Sequence, residues 1–139
     1  MKLFCILLFA TFFRVTSFAQ ETPEKHPIDL MLDNCLSNEE NFTTRDMLEC
    51  TQKAYEAWDK ELNIVYKKLM SKLSENGKSV LKRAQIEWIA FRDLEFKTID
   101  SIYDILQGTM YIPMRLNDKM DLVRRRTLQL NGYLQLLTL

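Results

Sequence analysis

The sequence has few of the residues from which catalytic, metal and nucleic-acid sites are built. It contains one histidine, His26, and only three glycines. It has no glycine-rich phosphate loop, no HExxH helix and no Ser–His–Asp set with a usable histidine. Lysine plus arginine and aspartate plus glutamate each number 19, so no basic excess predicts nucleic-acid binding. These absences predict a protein that is not an enzyme and needs neither a metal nor a cofactor.

The first 19 residues have the three parts of a secretory signal peptide. Lys2 gives a positive start, residues 3–13 form an apolar run, and residues 17–19 form a small-x-small cleavage site. The apolar run is too short for a bilayer span, which takes about 20 residues. Cleavage would leave residues 20–139 as an exported chain, periplasmic or secreted, with no stable membrane anchor. An uncleaved membrane anchor is the alternative.

Two cysteines, Cys35 and Cys50, remain after cleavage. In an exported chain an even number of cysteines predicts a disulfide. A loop of this length would stabilise the fold by about 3 kcal/mol in the chain-entropy model. Two thiols are too few ligands for a metal site, and no base lies nearby to activate a thiol nucleophile.

Helical periodicity dominates the rest of the sequence. Residues 20–26 are expected to form a flexible leader and residues 27–139 a single helical domain. We expect the first long helix to end at Asn76-Gly77, and the second, capped by Ser79, to stop at Gln107-Gly108. The expected apolar positions are Met47, Cys50, Tyr55, Trp58, Leu62, Val65, Leu69 and Leu73, then Leu81, Ala84, Trp88, Phe91, Ile99, Ile102 and Leu106, then Leu116, Met120, Val123, Thr127, Leu130, Leu134 and Leu137.

These stripes have the three- and four-residue steps of amphipathic helices, and no strand pattern interrupts them. The sequence therefore predicts an all-α fold. We expect an antiparallel bundle of three long helices with a short N-terminal helix tied on by the disulfide.

Polar residues lie beside the apolar stripes of the first two long helices. If these helices form an antiparallel hairpin that turns at residues 75–76, the polar residues of one helix lie opposite those of the other. The level pairs are Asp59 with Arg92, Asn63 with Trp88, and Tyr66 with Gln85. Arginine offers a planar fork of donors to a carboxylate, and a buried indole N–H needs a partner. We therefore expect a polar ladder across the hairpin. Its role is predicted to be mainly structural, with an outward recognition surface as the alternative.

The chain resembles the lysozyme inhibitor LprI family of small exported bacterial proteins from about residue 27 to residue 130. The resemblance rests on the cysteine pair and on the motif residues Tyr55, Asp59, Asn63, Tyr66, Gln85, Trp88, Arg92 and Asp93. Members often carry a second cysteine pair. Here Phe96 stands at one of those positions and no cysteine stands at the other, so the resemblance implies a single bridge.

The resemblance implies a protein that binds and blocks a muramidase in or near the cell envelope. Residues 20–61 hold 11 acids and four bases, whereas residues 62–139 hold eight acids and 13 bases. An acidic half suits a basic lysozyme as partner, although ordinary solvated helix faces would give the same pattern. Charge and position favour a contact surface around the disulfide-tied loop, with an apolar anchor: Asp29, Asp33, Glu39, Glu40 and Phe42.

Two other functional classes stay open. The protein could be a structural or adaptor bundle that binds another envelope protein without affecting lysozyme. A peptidoglycan-binding module is the third interpretation, but it would require a groove with exposed aromatic side chains. Trp58 and Trp88, the only tryptophans, lie on predicted core faces.

Overall fold

A computed structural model of the protein describes residues 25–41 and 43–138 and shows only helices and connecting turns within these ranges. The helices are α1 (Pro27–Leu36), α2 (Thr44–Lys72), α3 (Glu75–Tyr103) and α4 (Tyr111–Leu136). The predicted fold class is confirmed, because the three long helices form a bundle and a disulfide ties on the short first helix. The predicted signal peptide, most of the leader and Phe42 lie outside the described residues.

A reciprocal cap fixes the start of α2. The Thr43 hydroxyl accepts a hydrogen bond from the Asp46 backbone N–H at 3.1 Å, and the Asp46 carboxylate accepts one from the Thr43 N–H at 3.0 Å. This capping box satisfies two backbone donors that a helix start otherwise leaves unpaired. Hydrogen bonds from Thr43 also hold the pKa of Asp46 below its usual range.

The boundary between α2 and α3 lies four residues before the predicted one. α2 ends at Lys72, and the following Leu73 is extended. Ser74 caps α3 by accepting a hydrogen bond from the Gly77 N–H at 3.3 Å, so the prediction of Ser79 as cap was wrong. Gly77 lies inside the first turn of α3. Among the described glycines, only Gly108 has a positive φ, at 120° in the α3–α4 turn.

The core lies between α2 and α4. Five apolar residues of α2 at helical spacing are buried against three of α4: Ala54, Trp58, Leu62, Val65 and Leu69, with Met120, Val123 and Leu130. Burying a side chain of the size of leucine contributes about 1.5–3 kcal/mol. This interface therefore supplies most of the burial that holds the bundle together.

Helix α3 packs on this pair less closely. Leu81 is its only buried residue, and Trp88 and Phe96 are half-buried against the core. The predicted core stripe of α3 is therefore wrong at Ala84, Phe91, Ile102 and Leu106, which are exposed. Leu106 also lies beyond the helix, because α3 ends at Tyr103 and not at the predicted Gln107-Gly108. The same helix carries both a half-buried face and an apolar side without a partner in the described chain.

Candidate functional site

The disulfide and the single histidine fix the N-terminal helix to α2. The predicted bridge is confirmed: Cys35 at the end of α1 is bonded to Cys50 in α2, with the Cα atoms 5.8 Å apart. At the other end of α1, His26 Nδ1 accepts a hydrogen bond from the backbone N–H of Ile28 at 3.3 Å. The His26 ring centre lies 4.4 Å from that of the buried Trp58. His26, predicted to be the last residue of a flexible leader, is thus a packed capping residue.

An ion pair joins α1 to α4. Asp29 accepts two hydrogen bonds from the Arg124 guanidinium, at 2.8 and 2.7 Å, and only 17% of its side chain is exposed. The bond to Asp29 raises the pKa of Arg124 above its usual value. Asp33, one turn later, pairs with Lys25 at 2.6 Å in an exposed position. Asp29 is therefore engaged within the fold, and its part in a partner contact stays a prediction.

Aromatic rings of α3 and cations of α3 and α4 alternate along the line where these helices meet. The Arg92 guanidinium lies 5.7 Å from the centre of the Trp88 ring and 5.6 Å from that of Phe96. From α4, Arg126 lies 5.8 Å from the Trp88 ring and Lys119 lies 5.5 Å from the Phe96 ring. Such contacts contribute about 0.5–1 kcal/mol each when exposed and more when desolvated. We call these five residues the cation–aromatic seam.

The predicted polar ladder between α2 and α3 is wrong at its acidic end. Arg92 donates two hydrogen bonds to its neighbour Asp93, at 3.0 and 2.7 Å, and not to Asp59. The Asn63 side chain donates to the backbone carbonyl of Asp59 within α2, at 2.8 Å. These side chains satisfy their hydrogen bonds locally and do not cross between the helices.

The ladder is also wrong at Gln85, which accepts a hydrogen bond from Arg126 of α4 at 3.1 Å and not from Tyr66. Aromatic side chains fill the space between α2 and α3 instead. The rings of Tyr55 and Phe96 lie 6.4 Å apart, and Tyr66 packs on the core. Because rings occupy this space, the polar groups of α3 reach α4 more readily than α2. Several family-motif residues therefore make their contacts across a different interface from the predicted one, and their structural role stays a prediction.

The loop between α1 and α2 presents two free acids. Glu39 and Glu40 are exposed, and neither has an ion-pair partner among the described residues. Asn41 fixes the loop, because its amide donates to the Cys35 backbone carbonyl at 3.0 Å. The Asn38 side chain accepts from the Glu40 N–H at 3.1 Å and forms a tight turn. The two carboxylates are thus held on a braced loop beside the disulfide.

An apolar groove of about 210 Å³ lies at this same end of the bundle, between α1, α2 and α4. Its lining includes Leu36, Met47, Met110, Pro113, Met114 and Asp118. Methionine side chains adapt their shape to a partner and are frequent in protein-binding surfaces. The groove is smaller than typical small-molecule pockets of about 300–1,000 Å³ and suits one or two protein side chains. We call it the methionine groove.

The described residues contain no cluster of histidine, cysteine, aspartate or glutamate that could hold a metal ion. Within the same ranges, no helix has the length and apolar character needed to cross a bilayer. The site that the structure presents is therefore a surface: two free acids on a braced loop next to an apolar groove.

The family model described as lysozyme inhibitor LprI matches residues 35–130. The chain belongs to the lysozyme inhibitor LprI family. The match spans both disulfide cysteines, the α1–α2 loop, the cation–aromatic seam and most of α4. It confirms the resemblance inferred from the sequence.

Among solved structures, this chain is similar to a crystal structure of an uncharacterized protein from Burkholderia thailandensis. The TM-score is 0.76 at 25% sequence identity. The similarity covers 83% of this chain and 57% of that one, so this chain spans a little over half the length of that protein. The likeness supports the fold and names no activity. No curated protein matches the sequence.

Two parts of the site were not predicted from the sequence. Arg124 was not predicted as the partner of Asp29, since the two residues are 95 positions apart in the chain. The methionine groove was not predicted because Met110 and Met114 belong to none of the predicted apolar stripes. A usable signal was present: Met110, Pro113 and Met114 follow a glycine turn, as expected for a new helix start.

Proposed function

We propose that this protein binds and inhibits a lysozyme through the acidic loop and the methionine groove. Membership of the LprI family supports an inhibitor, and hence a function that does not require catalysis by this chain. The observation that carries the choice of surface is the pair of exposed, unpaired carboxylates Glu39 and Glu40 on a loop braced by the disulfide. A fixed loop loses little conformational entropy when it binds.

Charge supports a basic partner for this surface. Glu39 and Glu40 have no basic neighbour to neutralise them among the described residues, and exposed Asp33 lies close by in sequence. Acids at the edge of an interface increase the association rate with a basic protein, and the increase falls with salt. The methionine groove would take an apolar side chain of that protein. Phe42, next to the loop, remains the proposed second apolar anchor.

The disulfide supports a location in which the protein could meet a lysozyme. A disulfide is typical of proteins outside the reducing cytoplasm, and the family model that matches this chain is described as a lysozyme inhibitor. The proposed location is the periplasm or the medium, after removal of residues 1–19. The muramidase would thus meet the inhibitor in or near the cell envelope.

The test is a cell-wall lysis assay with residues 20–139, disulfide formed, titrated against a basic chicken-type lysozyme. We expect saturable loss of lysis near stoichiometric amounts. Glu39→Gln with Glu40→Gln should weaken inhibition about tenfold or more at low salt and flatten its salt dependence, since edge charges act mainly through association rate. Glu75→Gln at the opposite end of the bundle is the matched control, because Glu75 is also highly exposed.

Two results would contradict this proposal. Absence of any effect on lysis at large excess would favour the alternative, a structural or adaptor bundle that binds another envelope protein. Inhibition that is unchanged in the double glutamine variant would keep an inhibitor but exclude the acidic loop. Met114→Lys then tests the groove separately, because Met114 is exposed and its substitution should leave the core intact.

A further inference from the structure

An outward-facing stripe runs along α3 and into the turn after it. Its apolar members are all exposed: Val80, Ala84, Phe91, Leu94, Ile102 and Ile105. Two polar residues, Glu87 and Thr98, complete the stripe, so that successive members are three or four residues apart. The alternating four- and three-residue steps from Val80 to Thr98 follow a coiled-coil seam about 27 Å long. Ile102 and Ile105 continue the stripe one residue out of heptad register. Contiguous apolar patches of this kind on a soluble protein mark interaction sites.

Six of the eight positions in the stripe are symmetric about a midpoint between residues 92 and 93. Ala84 and Ile102 deviate by one residue, because the position level with Ala84 is Ser101. Phe91 and Leu94 lie at equal distances on either side of the midpoint, as do Glu87 and Thr98, and as do Val80 and Ile105. A copy of the helix laid antiparallel would therefore place Phe91 opposite Leu94 and Val80 opposite Ile105. Ala84 would lie beside Ser101, one position from Ile102. The Glu87 of each helix would face the Thr98 of the other. We propose that this stripe is the interface of an antiparallel homodimer.

Polar and charged residues favour the antiparallel over the parallel arrangement. In a parallel pair in register, each Glu87 would face the Glu87 of the partner subunit, and like charges directly opposite are destabilising. Arg83 and Asp104 lie on the same side of the stripe, near its two ends. In an antiparallel pair these sides of the two helices face each other, so Arg83 comes near Asp104 of the partner subunit. Arg83 has no acidic partner among the described residues, and Asp104 is largely exposed although it pairs with Arg115. The two helix ends thus complement one another.

A second copy of this chain fits the α3 stripe better than the lysozyme proposed to bind the acidic loop. A two-fold axis requires a self-complementary patch, and the symmetric order of the stripe supplies one. The stripe lies on α3, whereas the acidic loop and the methionine groove are formed by α1, α2 and α4. Dimerisation would leave those elements exposed, so it is independent of lysozyme inhibition.

The first experiment is sedimentation velocity of residues 20–139, with the disulfide formed, across micromolar concentrations. We expect a concentration-dependent dimer. Phe91→Lys with Leu94→Lys should weaken association at least 100-fold, and Leu94→Lys alone should weaken it at least tenfold. Both positions are about half exposed or more, so helicity and melting temperature at low concentration should stay near those of the parent. Ile86→Lys is the matched control, since Ile86 is 55% exposed and lies off the stripe.

The second experiment tests orientation by disulfide cross-linking. Val80→Cys and Ile105→Cys are made separately, oxidised alone and oxidised after mixing. An antiparallel pair predicts a cross-link only in the mixture, because position 80 faces position 105 of the partner subunit. A parallel pair would cross-link each variant with itself.

Three results would overturn the proposal. One is a chain that stays monomeric at every concentration tested. Another is a dimer that Ile86→Lys breaks as strongly as Phe91→Lys with Leu94→Lys. The last is efficient self-cross-linking of the Val80→Cys variant, which would make the pair parallel. None of these results bears on whether the protein inhibits lysozyme.

Discussion

The α2–α4 pair and helix α3 use similar amounts of apolar sequence in different ways. In the pair, apolar residues of the two helices face each other and are almost fully buried, from Ala54 to Leu69 and from Met120 to Leu130. Along α3 only Leu81 is buried, while aromatic rings pack against cations and several aliphatic residues face outward. The pair therefore has a core of its own, and α3 is attached to it by a mixed seam.

This difference separates stability from recognition within one bundle. The α2–α4 interface, with α1 fixed to it by the disulfide and the Asp29–Arg124 pair, braces the acidic loop. Helix α3 contributes less to the core and keeps an apolar stripe available. A bundle built this way can carry an inhibitory surface at one end and an association surface along one side.

The largest expected effect is on the free energy of unfolding, when a buried side chain of the α2–α4 pair is truncated and compared with an exposed one on α3. Leu130→Ala should lower the free energy of unfolding by about 2–5 kcal/mol, because it leaves a cavity in a close-packed interior. Leu94→Ala should change it by about 0.5 kcal/mol or less, since Leu94 is 64% exposed. Urea denaturation at low protein concentration measures both. Equal losses of stability would show that Leu94 of α3 is part of the core, which would contradict a core formed mainly by α2 and α4.

The next effect concerns the attachment of α1 to the pair. Asp29→Asn should lower the free energy of unfolding by about 1–2 kcal/mol, because the half-buried Arg124 exchanges its closest carboxylate for a neutral amide and keeps only the longer, 3.7 Å pair with Asp121. Asp33→Asn is the control and should cost about 0.5 kcal/mol or less, because its pair with Lys25 is exposed. Urea denaturation of the oxidised proteins gives both values. Indistinguishable values would mean that the Asp29–Arg124 pair does not help to hold α1.

A smaller effect tests the cation–aromatic seam. Arg92→Met keeps an unbranched side chain beside Trp88 and Phe96 but removes the charge over both rings. We expect a loss of about 1 kcal/mol, seen first as faster amide hydrogen exchange in α3 while the α2–α4 core stays protected. Lys97→Met, at an exposed position on the same helix, should leave exchange unchanged. Equal acceleration in α2 and α4 would contradict a separate attachment of α3.

The smallest effect compares the N-terminal caps of α2 and α3. Only the α2 cap contains a titrating group, Asp46, whose pKa is lowered from 3.8 by hydrogen bonds from Thr43. A group with a lowered pKa stabilises the folded state above its usual pKa and loses this contribution as pH falls through the lowered value. Below about pH 4 we therefore expect weaker hydrogen-exchange protection at the start of α2 than at the start of α3.

Asp46→Asn should abolish this pH dependence of protection. Ser74→Ala in the α3 cap should lower protection to the same extent at every pH, because a serine hydroxyl does not titrate in this range. Parallel acid sensitivity at both helix starts would count against the assignment to Asp46.

The apolar stripes of α2 and α4 were predicted well because a single periodic face decides burial when two helices pack along their length. Trp58, Leu62, Val65 and Leu69 are all buried, as expected from their spacing. The same rule failed on α3. Phe91 and Ile102 have helical spacing too, but only one side of α3 meets the pair, and periodicity cannot say which of two apolar sides that is.

The polar residues show the same limit. Their number and type predicted a structural role for Arg92 and Gln85. The residues opposite them in an antiparallel hairpin of α2 and α3 suggested partners on α2. The partners lie elsewhere because aromatic rings separate α2 from α3 and because Asp93 is next to Arg92. For the acidic surface, sequence position predicted exposed Glu39 and Glu40, but it could not reveal that Arg124 engages Asp29.

The sequence by itself determined the all-α class, the disulfide, the LprI family and the acidic character of the loop. These depend on local periodicity, on residue type and on a cysteine pair with no other partner. Only the tertiary structure decided that α2 packs on α4, that the methionine groove forms beside the loop and that α3 keeps an outward apolar stripe. Those features depend on which faces meet between residues far apart in the chain, and that choice is made by packing of the whole bundle.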